Sequence, residues 1–253
     1  DHNGSMKKHA VVLLVVAAAL LGYGSGVGQP YLLRGPLVVG QDAVVPGVSA
    51  RVDVAEAGGK VLVVDPPTGE ARVAFVLYGG GLVRPQAYEW IGQALAAHGG
   101  RTLIPEMPLD LAVLGEGRAE KVAAELARDL PVVLGGHSLG GAMAASYAAD
   151  HADAIAGLVL LASYPADSAD LSSTALPTLS LRAELDGVAD AAKAKGGLSR
   201  LPESAELVTI DGAVHSFFGR YGPQAGDGIP TVTRAVAEAQ IAEELTRFFA
   251  GID

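Results

Sequence analysis

The stretch that decides the fold runs from residue 132 to 141 and is Val132-Val133-Leu134-Gly135-Gly136-His137-Ser138-Leu139-Gly140-Gly141. A short apolar segment typical of a β-strand leads into Gly-x-Ser-x-Gly, and the alanine-rich residues that follow favour a helix. This strand–turn–helix context holds a serine at the tip of a sharp turn with its hydroxyl exposed. Gly136 and Gly140 suit such a turn because strand and helix pass too close for side chains. Ser138 is therefore the candidate nucleophile.

Outward from this turn, strand and helix patterns alternate along the chain. Alternating apolar residues predict a hairpin at residues 51–65, with Gly58-Gly59 as its turn. From Val73 onward, buried-type strands alternate with helices expected at 85–98, 119–130, 188–195 and the C-terminus. The pattern predicts an α/β domain with a mostly parallel sheet and helices on both faces. Only residues 163–177 separate two of the strands, which leaves no room for a cap domain.

The C-terminal helix is expected to pack against the sheet through one apolar face. Its members are Val232, Val236, Ala239, Leu245 and Phe249. Apolar residues on one face of a helix are typical of packing against a core.

Composition excludes several classes of site and partner. A length of 253 residues is enough for one large domain, and the net charge of −10 argues against nucleic acid as a partner. The chain has no cysteine, which excludes disulfides, thiolate metal sites and a cysteine nucleophile. Histidines and carboxylates show no clustered ligand spacing, so neither a metal nor another cofactor is expected.

The N-terminal region predicts targeting rather than catalysis. Residues 1–5 look like an expression scar before Met6, and residues 6–28 resemble a signal peptide, with two lysines before an apolar run. An uncleaved anchor and a buried helix are the alternatives, since no charged side chain occurs between Lys8 and Arg34. We expect export, or anchoring on the outer face with membrane association through residues 7–28; otherwise the protein is cytoplasmic. The proline-containing residues 29–50 predict a linker, and residues 51–253 the folded domain.

A serine nucleophile needs a general base, and His215 is the best-placed histidine. It follows the strand expected at residues 206–210, at the carboxyl end where open α/β sheets bind ligands. The other five histidines are expected in the N-terminal region (His2, His9), at surface helix ends (His98, His151) or packed inside the turn (His137).

The base needs an acid to fix its tautomer and stabilise the imidazolium. Asp186 lies in a turn before Gly187, directly after the strand expected at 178–181. It is the first candidate for this role, and Glu184 is the reserve.

The remaining component is a pair of backbone N–H groups for the oxyanion that forms at the substrate carbonyl. The strand at residues 73–78 ends in Gly79-Gly80-Gly81-Leu82. We expect the N–H of Gly81 to pair with that of Leu139, and Leu82 is the alternative to Gly81.

Together these segments resemble the α/β-hydrolase family, from about Arg51 to the C-terminus. The resemblance is clearest at residues 134–144 and at 215–224 with Gly226-Asp227-Gly228, and it looks like a compact, lid-free bacterial branch. The order serine, aspartate, histidine is the one this family uses. The resemblance implies an α/β-hydrolase fold, attack of Ser138 on an ester or related acyl bond, and hydrolysis of the acyl-enzyme by water that His215 activates. Two departures are Ala183, where many relatives have glycine, and Gly79-Gly80, where His-Gly is common.

The expected function is that of a serine carboxylesterase acting on small to medium acyl esters. The alternatives are a thioesterase, an amidase or a dienelactone-type hydrolase, because one triad serves many leaving groups. A non-catalytic envelope binding module on the same fold is the alternative from another class. Because residues 163–177 are short and mostly polar, the site should be open and shallow and should favour short soluble esters.

Overall fold

The computed structural model describes residues 14–26, 28, 37 and 50–252. The chain divides into two compact units, Asp1–Pro36 and Leu37–Asp253. Residues 14–26 of the first unit form a helix. No helix within the described residues has both the length and the apolar character needed to cross a membrane. The expected scar, the start of the targeting segment and most of the linker lie outside the described residues.

The second unit contains one eight-stranded sheet in the order β1-β2-β4-β3-β5-β6-β7-β8. The strands are β1 (Arg51–Glu56), β2 (Lys60–Asp65), β3 (Val73–Tyr78), β4 (Gly100–Pro105), β5 (Val132–His137), β6 (Gly157–Leu161), β7 (Thr178–Ala183) and β8 (Glu206–Ile210). β1 and β2 form the expected antiparallel hairpin, in which Arg51 pairs with Asp65, and β2 also runs antiparallel to β4. All other neighbouring strands are parallel, which confirms the predicted mostly parallel sheet.

Five α-helices follow the strands as expected, with boundaries shifted by a few residues. They are α1 (Glu89–Ala96), α2 (Arg118–Leu126), α3 (Leu139–Asp150), α4 (Ala191–Leu198) and α5 (Arg234–Ala250). The first of the predicted helices begins with a single 3₁₀ turn at Pro85–Tyr88 before α1.

Helices cover both faces of the sheet because the central strands are apolar on both sides. On β3, Phe75 and its alternate neighbours pack in one core cluster with residues of α1 and α5. Val76 and its alternate neighbours pack in a second cluster with residues of α2 and α3. This arrangement confirms the prediction of helices on both faces.

The buried face of α5 differs from the predicted one. Ala237, Ile241, Leu245, Phe248 and Phe249 are buried, whereas Val236 is 46% exposed and Ala239 is also exposed. At 100° per residue, nine residues before Leu245 is the opposite side of the helix. The assignment of Val236 and Ala239 to the core was therefore wrong, and α-helical spacing from Leu245 selects Ile241 and Ala237 instead.

The parallel strands bring the ends of β3, β5, β7 and β8 to one edge of the sheet. This edge carries the glycine turn after β3, the Ser138 turn after β5, and the turns with Asp186 and His215 after β7 and β8. Between β6 and β7, residues 162–177 form turns without a helix or strand, in agreement with the expected lack of a cap.

Candidate active site

Ser138 occupies the strained turn that its sequence context predicts. Its φ and ψ are 53° and −122°, a backbone conformation that L residues rarely adopt. The Ser138 N–H donates to the Leu161 carbonyl at 3.0 Å, and Ser163 Oγ donates to the Ser138 carbonyl at 2.7 Å. A Cβ atom at Gly140 would collide with the carbonyl oxygen of Gly79, so a side chain at this position cannot be accommodated. The turn is thus held from β6 and from the segment that follows it.

His215 and Asp186 form a direct pair beside this turn. His215 Nδ1 lies 2.8 Å from Asp186 Oδ2, and the histidine is only 2% exposed. Burial opposes ionisation of Asp186, but hydrogen bonds from His215 and from the N–H groups of Ala189 and Val188 outweigh it and keep the pKa of Asp186 below its usual value. An ionised Asp186 accepts a hydrogen bond from Nδ1–H, and in the neutral imidazole this tautomer has a lone pair on Nε2 of His215.

Nε2 of His215 has no hydrogen-bond partner among the described residues. His215 and Ser138 line the same cleft. A neutral imidazole with a free Nε2 in that position can accept a proton from a hydroxyl that approaches it. The reserve acid, Glu184, lies elsewhere: its Oε2 accepts the N–H of Gly212 at 2.7 Å, at the turn after β8.

In the glycine turn after β3, the N–H of Gly81 is available to a ligand, whereas the next N–H on either side is already bonded. The N–H of Gly80 donates to Tyr88 Oη at 2.8 Å, and the N–H of Leu82 donates to the carbonyl of Asp110 at 2.8 Å. The N–H of Gly81 has no acceptor in the part of the chain that the structure describes. A Cβ at Gly81 would lie 3.4 Å from Leu139 Cδ2, so this glycine faces the residue after Ser138. The geometry therefore favours Gly81 over Leu82 as the partner of Leu139.

Tyr88 connects this glycine turn to the Ser138 turn, a link that the sequence did not indicate. Its hydroxyl accepts from Gly80 and lies 2.9 Å from His137 Nδ1, and both rings are buried. The hydroxyl can donate its single proton to His137 Nδ1 in the tautomer that carries the ring proton on Nε2. Burial, with the nearby His215, lowers the pKa of His137 to about 3. His137 is therefore a neutral packing residue, as its position in the turn suggested.

The cleft beside Ser138 has a volume of about 430 Å³. It is lined by Ser138, Leu139 and His215, by residues 162–167, and by Val188, Ala189 and Lys193. This volume is near the lower end of the roughly 300–1,000 Å³ typical of small-molecule sites. In the described ranges, no three histidine or carboxylate side chains are placed to share a metal ion.

Comparison with known proteins identifies the family of this chain. A sequence model described as the alpha/beta hydrolase family matches residues 74–239. The chain belongs to the alpha/beta hydrolase family. Among curated proteins, none matches this sequence. The matched residues include β3, the Ser138 turn and the turns that carry Asp186 and His215.

Solved structures of similar fold agree with this assignment. A dienelactone hydrolase from Anabaena variabilis ATCC 29413 superposes with a TM-score of 0.62 at 19% identity, covering 82% of this chain and 99% of its own. A predicted CIB-like hydrolase from Thermoplasma acidophilum gives a TM-score of 0.62 at 16% identity, covering 81% and 100%. These likenesses confirm the predicted α/β-hydrolase fold for this alpha/beta hydrolase.

Proposed function

We propose that this alpha/beta hydrolase is a serine carboxylesterase that cleaves small to medium acyl esters. The observation that carries the proposal is the position of His215. Its Nδ1 is held by Asp186 at 2.8 Å, while its Nε2 is unpartnered at the cleft that Ser138 also lines. A strained serine, a base with a free nitrogen and an acid that fixes its tautomer are the components of acyl transfer.

The reaction proceeds in two halves on these residues. Ser138 Oγ attacks the ester carbonyl carbon as its proton passes to His215 Nε2, and the N–H groups of Gly81 and Leu139 donate to the resulting oxyanion. The tetrahedral intermediate collapses when His215 returns that proton to the departing alkoxide, which leaves as the alcohol and leaves the acyl group on Ser138. A water molecule then attacks the acyl carbon as its proton passes to His215 Nε2, and His215 returns that proton to Ser138 Oγ as the bond to the acyl group breaks and the carboxylic acid is released.

The cleft supports a preference for short acyl chains. Its volume of about 430 Å³ is modest, and residues 163–167, which line it, belong to a segment without a helix or strand. We expect the highest kcat/KM for chains of about two to eight carbons, because longer chains would extend into water and gain little from burial. A series of p-nitrophenyl esters of increasing chain length measures this preference directly.

The decisive test of the chemistry is covalent labelling of Ser138. A fluorophosphonate probe should label the wild-type protein, and mass spectrometry of its peptides should place the adduct on Ser138. Ser138→Ala should prevent labelling and lower kcat by about 10⁴-fold or more. Ser146→Ala is the matched control and should behave like wild type, because Ser146 lies on α3, the helix that follows Ser138, but does not line the cleft. A wild-type protein that is folded but neither labelled nor hydrolytic would support a binding module instead.

A second candidate is a dienelactone-type hydrolase, favoured by the structural likeness to a dienelactone hydrolase over 99% of that chain. A lactone is a cyclic ester, so the same residues would open it, and the leaving alkoxide would remain attached to the acyl group. Comparison of kcat/KM for small lactones and for open-chain esters of equal size separates the two candidates.

A further inference from the structure

Asp227 lies on the segment between the 3₁₀ turn at His215–Phe218 and α5, outside the three residues assigned to the reaction. Its carboxylate accepts hydrogen bonds from four backbone N–H groups. Oδ1 accepts from His215 at 3.0 Å, Gly228 at 2.9 Å and Gly187 at 3.4 Å, and Oδ2 accepts from Ser216 at 2.8 Å. These donors lie on three separate stretches of chain.

The positions of the donors link the acid to the base. Gly187 directly follows Asp186 in the turn after β7, while His215 and Ser216 form the turn after β8. One carboxylate therefore bonds to the backbone next to the acid and to the backbone of the base itself. The N–H groups of His215 and Ser216 would otherwise be unpaired donors beside the site, since a single helical turn satisfies none of its first N–H groups.

Packing supports a fixed arrangement of these segments. A Cβ atom at Gly187 would collide with the Gly226 carbonyl, and one at Gly228 would collide with the Leu185 carbonyl. The stretch 226–228 thus lies directly against the Asp186 turn, backbone to backbone. Burial opposes ionisation of Asp227, but the hydrogen bonds from backbone N–H groups outweigh this effect and hold the pKa of Asp227 below its usual value. The Asp227 carboxylate is therefore ionised at neutral pH.

We propose that Asp227 is a positioning residue that sets the separation and orientation of the Asp186–His215 pair. The proposal rests on the proposed function, in which this pair activates Ser138. Asp227 acts only through the two turns, and no step of the reaction passes through its side chain. A shift of about 1 Å in such a pair can cost on the order of 10²-fold in rate.

The test compares Asp227→Ala and Asp227→Asn with wild type. For Asp227→Ala we expect kcat for p-nitrophenyl acetate to fall about 100-fold, with KM changed by less than about threefold. Asp227→Asn keeps one carbonyl oxygen as acceptor, so its kcat should lie between that of Asp227→Ala and that of wild type. Asp170→Asn is the matched control. The Asp170 carboxylate also accepts a hydrogen bond from a backbone N–H, that of Ser172 at 2.9 Å, but Asp170 does not line the cleft.

Two further readouts separate positioning from support of the fold. In proton NMR, the Nδ1 proton of His215 should give a far-downfield resonance in wild type that is lost in Asp227→Ala. In Asp227→Asn, the acid limb of the pH–rate profile should move to lower pH, because a negative charge near the imidazolium is removed. The other titratable or charged groups around this turn include Asp186, His137, Tyr221 and Arg234, and all remain unchanged in the variant.

The outcomes are distinguishable from failure of the proposed function. If wild type cleaves no ester but shows the downfield resonance, and Asp227→Ala loses it, the positioning role holds and the esterase assignment fails. If both variants fold and retain kcat within threefold of wild type, or lose only melting temperature, Asp227 is a structural residue and the proposal is wrong. Should Asp227→Ala not fold, the kcat and pH profile of Asp227→Asn decide the question.

Discussion

Removal of a single oxygen atom from Tyr88 tests the link between the glycine turn and the Ser138 turn. In Tyr88→Phe, the N–H of Gly80 and Nδ1 of His137 both lose their partner. Tyr88 is fully buried, and a Cβ at Gly80 would already lie 2.9 Å from His137 Nδ1, so the site is tightly packed. The two orphaned polar groups therefore have no route to solvent.

The expected loss of stability follows from those two groups. An unsatisfied buried donor or acceptor costs about 1–3 kcal/mol, so two of them should lower the free energy of unfolding by about 2–6 kcal/mol. The packing itself is preserved, because the ring remains and only the hydroxyl is removed. Activity should fall as well, since Gly80 positions Gly81, and loss of one oxyanion donor costs about 10²–10³-fold in kcat.

Urea unfolding followed by circular dichroism measures the first effect, and ester hydrolysis measures the second. Tyr147→Phe is the matched control: Tyr147 is 7% exposed, and its hydroxyl is not one of the buried polar atoms that lack a partner within the described residues. That variant should stay within about 0.5 kcal/mol of wild type. If Tyr88→Phe is destabilised by no more than the control, the two groups are satisfied in another way and the reasoning is refuted.

Three further predictions concern the acid Asp186, the buried His137 and Gly140 of the Ser138 turn. Asp186→Asn should lower kcat about 10⁴-fold by favouring the wrong tautomer of the base, while Glu184→Gln should remain within a few-fold; the reverse order in steady-state assays would reassign the acid. Because the pKa of His137 is lowered from 6.5 to about 3, the unfolded chain binds the extra proton between these values. Stability is therefore fully present above pH 6.5 and should fall by up to about 1.4 kcal/mol per pH unit below it, a slope that His137→Gln should remove in urea titrations at several pH values. Gly140→Ala should cost more than about 3 kcal/mol or prevent folding, whereas Gly196→Ala, with open space around it in α4, should be neutral or stabilising by up to about 1 kcal/mol in the same unfolding assay.

Much of the architecture could be predicted because local pattern and tertiary structure agree. The conformation of the Gly-x-Ser-x-Gly turn is determined by adjacent residues, and a parallel sheet necessarily brings the carboxyl ends of its strands to one edge. For that reason the Asp186–His215 contact could be anticipated from two turns that are 29 residues apart. The role of the pair in catalysis stays a prediction until the variants are measured.

Other features could not be predicted, because they depend on distances across the fold. Tyr88 falls within the helix predicted at residues 85–98, and only the structure places its hydroxyl between Gly80 and His137. Asp227 was visible as part of Gly226-Asp227-Gly228, but no local pattern indicates which N–H groups a turn aspartate will accept. The error on α5 has a different origin: in a helix whose commonest residue is alanine, several faces are weakly apolar, and packing alone selects the one with Ile241.

The nucleophile and its base are held in place by different parts of the molecule, so they should lose their positions at different temperatures. Ser138 lies between a buried strand and a core helix, so it should keep its place as long as the sheet remains folded. Asp186 and His215 lie on turns joined by a few hydrogen bonds, and such segments open at a lower free energy than the whole domain. On warming, hydrolysis should therefore cease several degrees below the loss of helical circular dichroism. Prompt cooling from that interval should restore full activity, because the sheet never unfolded.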